Sequence, residues 1–337
     1  MPRDFFGIAP QTPLTEADTS RMRHGGVDAV RVAVSWAAVQ PKPGSGYDWS
    51  GLDQTMALLS RSHLEALPFL AGTPRWLAHR FSILPVSNAR QRRAWWAFLR
   101  AAVERYGRHG TFWLEHGPGS ADFVPRNPVR RWQLWNEENF FYFATPASPT
   151  RYARLLKISR GAIKGIDGHA QIVMGGLFGN PKERPPRAMD AAAFLDRLYR
   201  VRGIKHYFDG VALHPYSRNT ATLRRLTGRM RRVMLRHGDR RTGLYITEMG
   251  WGSQHDPRRV AFEVGRRAQA RELRAAYSYL IGNRRRLNLT QVYWFSWKDA
   301  ALLCNFCDSS GLFRGGSRFK PKPAWHTFTA IAHGRLR

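Results

Sequence analysis

Short apolar runs alternate along this chain with longer stretches in which apolar residues recur every third or fourth position. The runs at residues 5–9, 29–36, 66–71, 131–136, 171–175, 208–213, 244–247 and 289–295 predict strands. They are nearly continuous in hydrophobicity, as expected of strands covered on both faces. The stretches at 16–24, 51–62, 89–106, 150–166, 190–201, 221–237, 257–281 and 323–333 predict helices. Leu155, Ile158 and Ile163 illustrate the helical spacing, and Ser148 before Pro149 supplies a start signal. Eight alternations predict an α/β fold, a closed (β/α)8 TIM barrel forming one domain over residues 1–337. The longest irregular stretches, 111–128 and 180–188, are expected as surface loops, the first on the barrel floor because it leads into the fourth strand.

Chemistry in such a barrel gathers at the C-terminal ends of the strands. Read in order, those ends carry Arg31 and Trp36, then Gly72-Thr73-Pro74-Arg75-Trp76, then Asn136-Glu137, His214-Pro215-Tyr216, Glu248, and Trp294-Phe295-Ser296-Trp297. This is a polar and aromatic ring on an apolar cylinder, which suits a sugar site. Glu137 and Glu248 lie 111 residues apart, room for about three strand–helix repeats. Two glutamates at the ends of two parallel strands can supply a proton donor and a nucleophile on either side of a glycosidic bond.

Composition changes the picture in three places. The 12 tryptophans are many; most are expected in the core, and the rest are candidate sugar platforms. Trp294 and Trp297 compete for that role, because a regular strand sends them to opposite faces; Trp297 is nearer the rim. Trp36 and Trp76 are further candidates. The net charge of +30 comes mainly from arginines spread over the predicted helices, such as Arg224, Arg225, Arg231 and Arg232. It allows association with an anionic glycan or surface, while no nucleic-acid module is visible and nucleic acid is not the expected partner. Cys304 and Cys307 are the only cysteines. Without a second pair they do not make a zinc site, and a short-loop disulfide is the preferred reading. A disulfide suits a secreted or envelope-associated protein, although residues 1–5 do not read as a signal peptide, which leaves a cytoplasmic location open. No apolar run reaches the ~20 residues of a spanning helix, and neither metal nor cofactor is expected.

The segment Val30-Arg31-Val32-Ala33-Val34-Ser35-Trp36, with Gln40-Pro41 and the stretch from Tyr47 to Asp53 after it, resembles the second-strand region of glycoside hydrolase clan A, in the manner of families 5 and 39. Trp135-Asn136-Glu137 resembles that clan's fourth-strand Asn-Glu pair, and Ile246-Thr247-Glu248-Met249-Gly250-Trp251 its seventh-strand motif. The ending from Gly311-Leu312-Phe313 to Lys322-Pro323-Ala324-Trp325 is also similar. The resemblance implies a retaining glycosidase acting on a glycoside or polysaccharide, with Glu137 as acid/base and Glu248 as nucleophile. It further implies that Tyr216 hydrogen-bonds Glu248 and that Asn136 holds a sugar hydroxyl. Arg31 is the expected charge partner of Glu248, and His214 an expected sugar contact. Glu138 departs from the pattern, which commonly has proline after the acid. The competing functions are a carbohydrate-binding barrel without turnover and a polyanion-binding protein.

Overall fold

A computed structural model describes residues 1–2, 4–255, 261–301, 304, 306–316 and 318–336. Eight parallel strands close on themselves in sequence order: β1 (Phe6–Ile8), β2 (Ala29–Ser35), β3 (Glu65–Ala71), β4 (Arg131–Leu134), β5 (Gln171–Phe178), β6 (Gly210–His214), β7 (Gly243–Met249) and β8 (Leu289–Trp294). Closure comes from β8 against β1, with Val292 opposite Phe6 and Trp294 opposite Ile8. The helices Glu16–His24, Ser50–Arg61, Ala89–Tyr106, Pro149–Lys164, Ala191–Tyr199, Thr220–Arg236, Arg266–Gly282 and Pro323–Ala332 surround the barrel. Local chemistry fixes their starts. Thr15 and Asp18 form a reciprocal capping box, and Asn88, Ser148, Asp190 and Asn219 each accept a hydrogen bond from a backbone N–H in the first turn. No helix among the described residues is long and apolar enough to cross a membrane.

The core has two parts. Outward-facing strand residues such as Val30, Leu70, Leu134, Ile172, Val211 and Ile246 pack under the helices in one large buried cluster. Inside the barrel a second cluster holds Ala29, Leu67, Val173, Ala212, Tyr245 and Tyr293. Further along the same strands the interior turns polar, with Arg31, Gln133, His214, Thr247 and Glu248 all buried. Each of these polar groups needs a partner, because an unpaired buried one costs about 1–3 kcal/mol.

Two irregularities shape this polar layer. Between β7 and β8, Ile246 pairs with Val292 and Met249 with Trp294, so β7 carries one extra residue over the step that contains Thr247 and Glu248. That bulge lets two consecutive side chains serve the interior. Between β5 and β6, Val173 pairs with Gly210 and Gly176 with Ala212, again one residue extra on β5. Gly175 and Gly176 sit at this step because side chains cross them closely: a Cβ on Gly176 would collide with the His214 ring, and one on Gly175 with the Glu138 carboxyl.

Three boundaries differ from the sequence expectation. The helix expected from 257 begins at Arg266. Residues 256–260 lie outside the described set, and 262–264 are drawn back toward the end of β7 by hydrogen bonds from Gly252 to Phe262 and from Val264 to Gly252. Gly265, at φ +84°, then turns the chain into the helix. The segment 111–128 contains a short helix, Thr111–Glu115, because Phe112 and Trp113 are buried there. It does lie at the N-terminal face: Asn127 donates to the carbonyl of Leu64, just before β3. β5 runs on to Phe178, its glycines being strand residues rather than a stop.

Candidate active site

Arg31 organises the site from β2. Its Nε donates to Gln133 Oε1 on β4 (2.6 Å), Nη2 to Asn136 Oδ1 (2.7 Å), and Nη1 pairs with Glu248 Oε1 on β7. Its guanidinium lies over the Phe69 ring at 3.9 Å. Fixed on three sides, the cation holds Asn136 and Glu248 at one depth in the barrel. The other oxygen of Glu248, Oε2, accepts from Tyr216 Oη at 2.6 Å.

Glu137 reaches the same polar layer by a different route. The chain leaves β4 through Trp135 at φ +75° and Glu137 at φ +42°, both in the left-handed region that non-glycine residues rarely adopt. Such strain, about 1–3 kcal/mol per residue, is characteristically held at functional sites. The turn sends consecutive side chains opposite ways. Glu137 points inward, where Oε1 lies 2.9 Å from His214 Nδ1. Glu138 points outward to Gly175 and Tyr152, with no exposed surface, and burial lifts its carboxyl to about 8. The choice between two adjacent glutamates is thus made by the backbone: only Glu137 enters the barrel.

His214 Nε2 lies 3.0 Å from Thr247 Oγ1, and Thr247 Oγ1 accepts from Gln133 Nε2 at 3.1 Å. Gln133 must donate here, since its Oε1 accepts from Arg31. The hydroxyl proton of Thr247 is then free to point at Nε2, which puts the ring hydrogen on Nδ1, directed at Glu137. Burial, with Arg31 nearby, holds His214 well below the usual histidine range, so it is a neutral donor at ordinary pH. Its ring has no exposed surface. The expected direct sugar contact is therefore corrected: His214 acts on Glu137 instead.

Glu137, His214 and Glu248 bring one ligand-type atom each within 4.8 Å of one another. Glu248 already spends both oxygens on Arg31 and Tyr216, and a cation between the glutamates would face the Arg31 charge, so the set suits a shared proton better than a metal. Burial and the neighbouring Glu248 push Glu137 well above the ordinary carboxylate range. Burial also leaves Glu248 above the ordinary carboxylate range, though Arg31 and Tyr216 oppose that rise as nothing comparable does for Glu137. The stronger upward push on Glu137 accordingly favours one proton on the pair, on Glu137.

The tryptophan expectations fare differently. Trp36, Trp294 and Trp297 have no exposed surface. Trp36 stacks on Phe98 at 5.3 Å, Trp294 Nε1 donates to the carbonyl of Ser310, and Trp297 Nε1 donates to Asp18 at 2.7 Å beneath Trp325. All three are core residues with no face for a ligand, and the expected platform role is corrected for each. Trp76 keeps partial exposure, with its edge on Trp36 and its Nε1 bonded to the Gln40 carbonyl. The aromatic wall next to Glu248 consists of residues the motifs did not single out. Phe262 stacks on Tyr216 at 5.4 Å, and Phe295 and Phe306 meet it edge-on at 5.9 and 5.5 Å. Gln133 was also missed, although a lone glutamine between Trp132 and Leu134 in a buried strand is a visible signal. Cys304 and Cys307 are joined in a disulfide that borders Phe306.

Residues 10–105 match the family model for β-galactosidases of glycoside hydrolase family 42. No curated protein matches the sequence. Among solved structures, a family 39 glycoside hydrolase from Bacteroides cellulosilyticus WH2 superposes with a TM-score of 0.69 at 18% identity, over 98% of this chain and 63% of that one. The chain thus spans less than two thirds of that enzyme's length. A family 39 β-xylosidase from Caulobacter crescentus gives 0.66 at 16% identity, over 99% and 72%. A GH5_18 protein from Bifidobacterium longum subsp. infantis gives 0.71 at 15% identity, over 100% and 80%. In fold over its whole length, and in sequence over residues 10–105, the chain resembles the glycoside hydrolases of clan A.

Proposed function

We propose that this protein is a retaining glycoside hydrolase in which Glu248 is the nucleophile and Glu137 the acid/base. One observation carries the reading: two buried glutamates, Glu137 just after β4 and Glu248 on β7, bring carboxylate oxygens within 4.8 Å of one another, Glu248 against Arg31 and Tyr216 and Glu137 against His214. Retaining enzymes hold their carboxyl groups about 5–5.5 Å apart, whereas inverting ones leave about 6.5–9.5 Å for a water.

In the first step a Glu248 oxygen bonds to the anomeric carbon, the bond from that carbon to the leaving oxygen breaks, and Glu137 gives that oxygen its proton. The Glu248 negative charge is consumed in the ester, so one of the two influences raising Glu137 disappears and Glu137 becomes a base. In the second step Glu137 takes a proton from water, the water oxygen bonds to the anomeric carbon, and Glu248 leaves as a carboxylate. Both glutamates return to their starting states. His214 steadies the Glu137 carboxylate that exists between the steps. Asn136, held by Arg31, is placed to meet a sugar hydroxyl. The Cys304–Cys307 disulfide supports export to an oxidising compartment.

The test is a screen of nitrophenyl xylosides and galactosides, the sugars named for the similar proteins, with mannosides and glucosides beside them, followed by the glycans that contain them. Wild type is run beside Glu248→Ala and Glu137→Gln. Both variants should fold and should lose about 10²-fold or more of turnover. Wild-type turnover by Glu248→Ala would remove the assignment.

A further inference from the structure

A continuous line of aromatic rings leads from Tyr216, beside the nucleophile, to the surface on the side of the site that carries the acid. Tyr216, bonded to Glu248, lies 6.3 Å from Phe178 at the end of β5. Phe178 stacks on Phe140 at 5.1 Å. Phe140 meets Tyr142 at 5.1 Å, and Tyr142 is 59% exposed. Phe178 and Phe140 are themselves partly exposed. The line is built rather than incidental. Buried Asn139 donates to the carbonyls of Phe178 (2.8 Å) and Met189 (2.6 Å) and accepts from the Phe178 N–H (2.8 Å), bolting the loop after β4 to the end of β5.

Position identifies the part of a substrate that would lie there. Phe140 follows Glu137 by three residues and donates its N–H to the Glu137 carbonyl at 2.8 Å. The acid protonates the departing oxygen, so the group on that oxygen leaves past this loop. Chemistry identifies the kind of group. Phe178 and Phe140, stacked on each other and partly exposed, form a two-ring apolar patch without a hydrogen-bonding side-chain atom, so a group lying on it gains from apolar contact while each hydroxyl it carries must find a partner elsewhere. We propose that the Phe178–Phe140–Tyr142 line is a leaving-group subsite for an apolar alcohol, aryl or alkyl, so that the substrate is a glycoside of such an alcohol rather than an interior bond of a polysaccharide. This rests on reading Glu137 as the acid.

The experiment measures calorimetric binding to Glu248→Gln of methyl and octyl β-glycosides of xylose, galactose and glucose, below the concentration at which they form micelles. Burying about half of the seven extra methylenes should tighten octyl over methyl by at least about tenfold. Phe140→Ser and Phe178→Ser, each added to that background, should bring the ratio near one. Tyr142→Ser, at the exposed end, should lower it partway, and melting curves confirm that each variant is folded. A ratio near one before any ring is removed, no binding of any octyl glycoside, or a ratio unchanged by Phe140→Ser overturns the proposal. So does a xylose, galactose or glucose oligosaccharide that binds more tightly than the octyl glycosides and loses that advantage on Phe140→Ser, because the line then serves a glycan. Wild-type turnover is read separately. A ring-dependent octyl preference without turnover keeps an apolar binding site but removes the hydrolase and with it the leaving-group role, whereas turnover with a ratio near one removes the subsite alone.

Discussion

Glu138→Gln should stabilise this protein, and by more as the pH rises. The Glu138 carboxyl is fully buried and titrates at about 8 against an ordinary 4.5. Between those values the native state keeps the proton and the unfolded chain releases it. The native state therefore binds more protons, and stability contributed by this group falls as pH rises. At about 1.36 kcal/mol per pH unit, the cost of carrying Glu138 is about 1 kcal/mol at pH 5, about 3 at pH 7 and about 4 at pH 8. Glutamine has nearly the shape of the protonated acid and does not titrate. Any penalty for burying its amide, about 1 kcal/mol, is the same at every pH. An unfolding entropy of about 2.1 cal/mol/K per residue over 337 residues makes 1 kcal/mol worth about 1.4 °C. Calorimetric melting of the two proteins should then show a difference that widens by about 4 °C from pH 5 to pH 8. A constant difference over that range would refute the reasoning, since Glu138 would then be reached by water and ionise normally. The same variant should keep turnover within about tenfold of wild type, unlike Glu137→Gln.

Three further outcomes follow from the geometry. Arg31→Met removes the charge that holds Glu248 ionised, so the acid limb of the kcat/KM profile should move to higher pH and stability should fall by about 3–5 kcal/mol; an unmoved limb contradicts the pairing. Asn139→Ala deletes three hydrogen bonds, one buried and two partly buried, and should cost about 2–4 kcal/mol by denaturant titration, with no effect expected only if the two loops are independently held. Replacing Cys304 and Cys307 together with serine opens a loop of separation 3, which the chain-entropy relation values at only about 2 kcal/mol, so melting should fall by about 3 °C or less.

The barrel was legible because most inward and outward strand positions are apolar, and the strands therefore stand out as nearly uninterrupted runs. Arg31 was legible for the converse reason: one charged residue inside such a run must have a buried partner. The Asn136-Glu137 order and the Glu248 motif were enough to bring the two carboxylates together. The aromatic wall was not. Alternation along β8 set Trp294 against Trp297, yet both are core, and Phe295 between them faces Tyr216. Trp297 is drawn into the core by Asp18, a partner 279 residues away that no local pattern reveals. The extra residue in β7, which lets Thr247 and Glu248 both serve the interior, also has no signature along the strand, because bulges are set by cross-strand register. The paired glycines in β5 read as a strand end; the side chains that require them, His214 of β6 and Glu138 of the loop after β4, come from neighbouring segments.

The central claim is that Glu248 forms a covalent bond to the sugar while Glu137 moves the proton. It is tested most directly with an activated 2-fluoro glycoside of whichever sugar the protein hydrolyses, which slows release of the adduct. Peptide mapping by mass spectrometry after inactivation should find the sugar on Glu248. A label on Glu137, or turnover that releases the inverted anomer with no adduct on either glutamate, contradicts it.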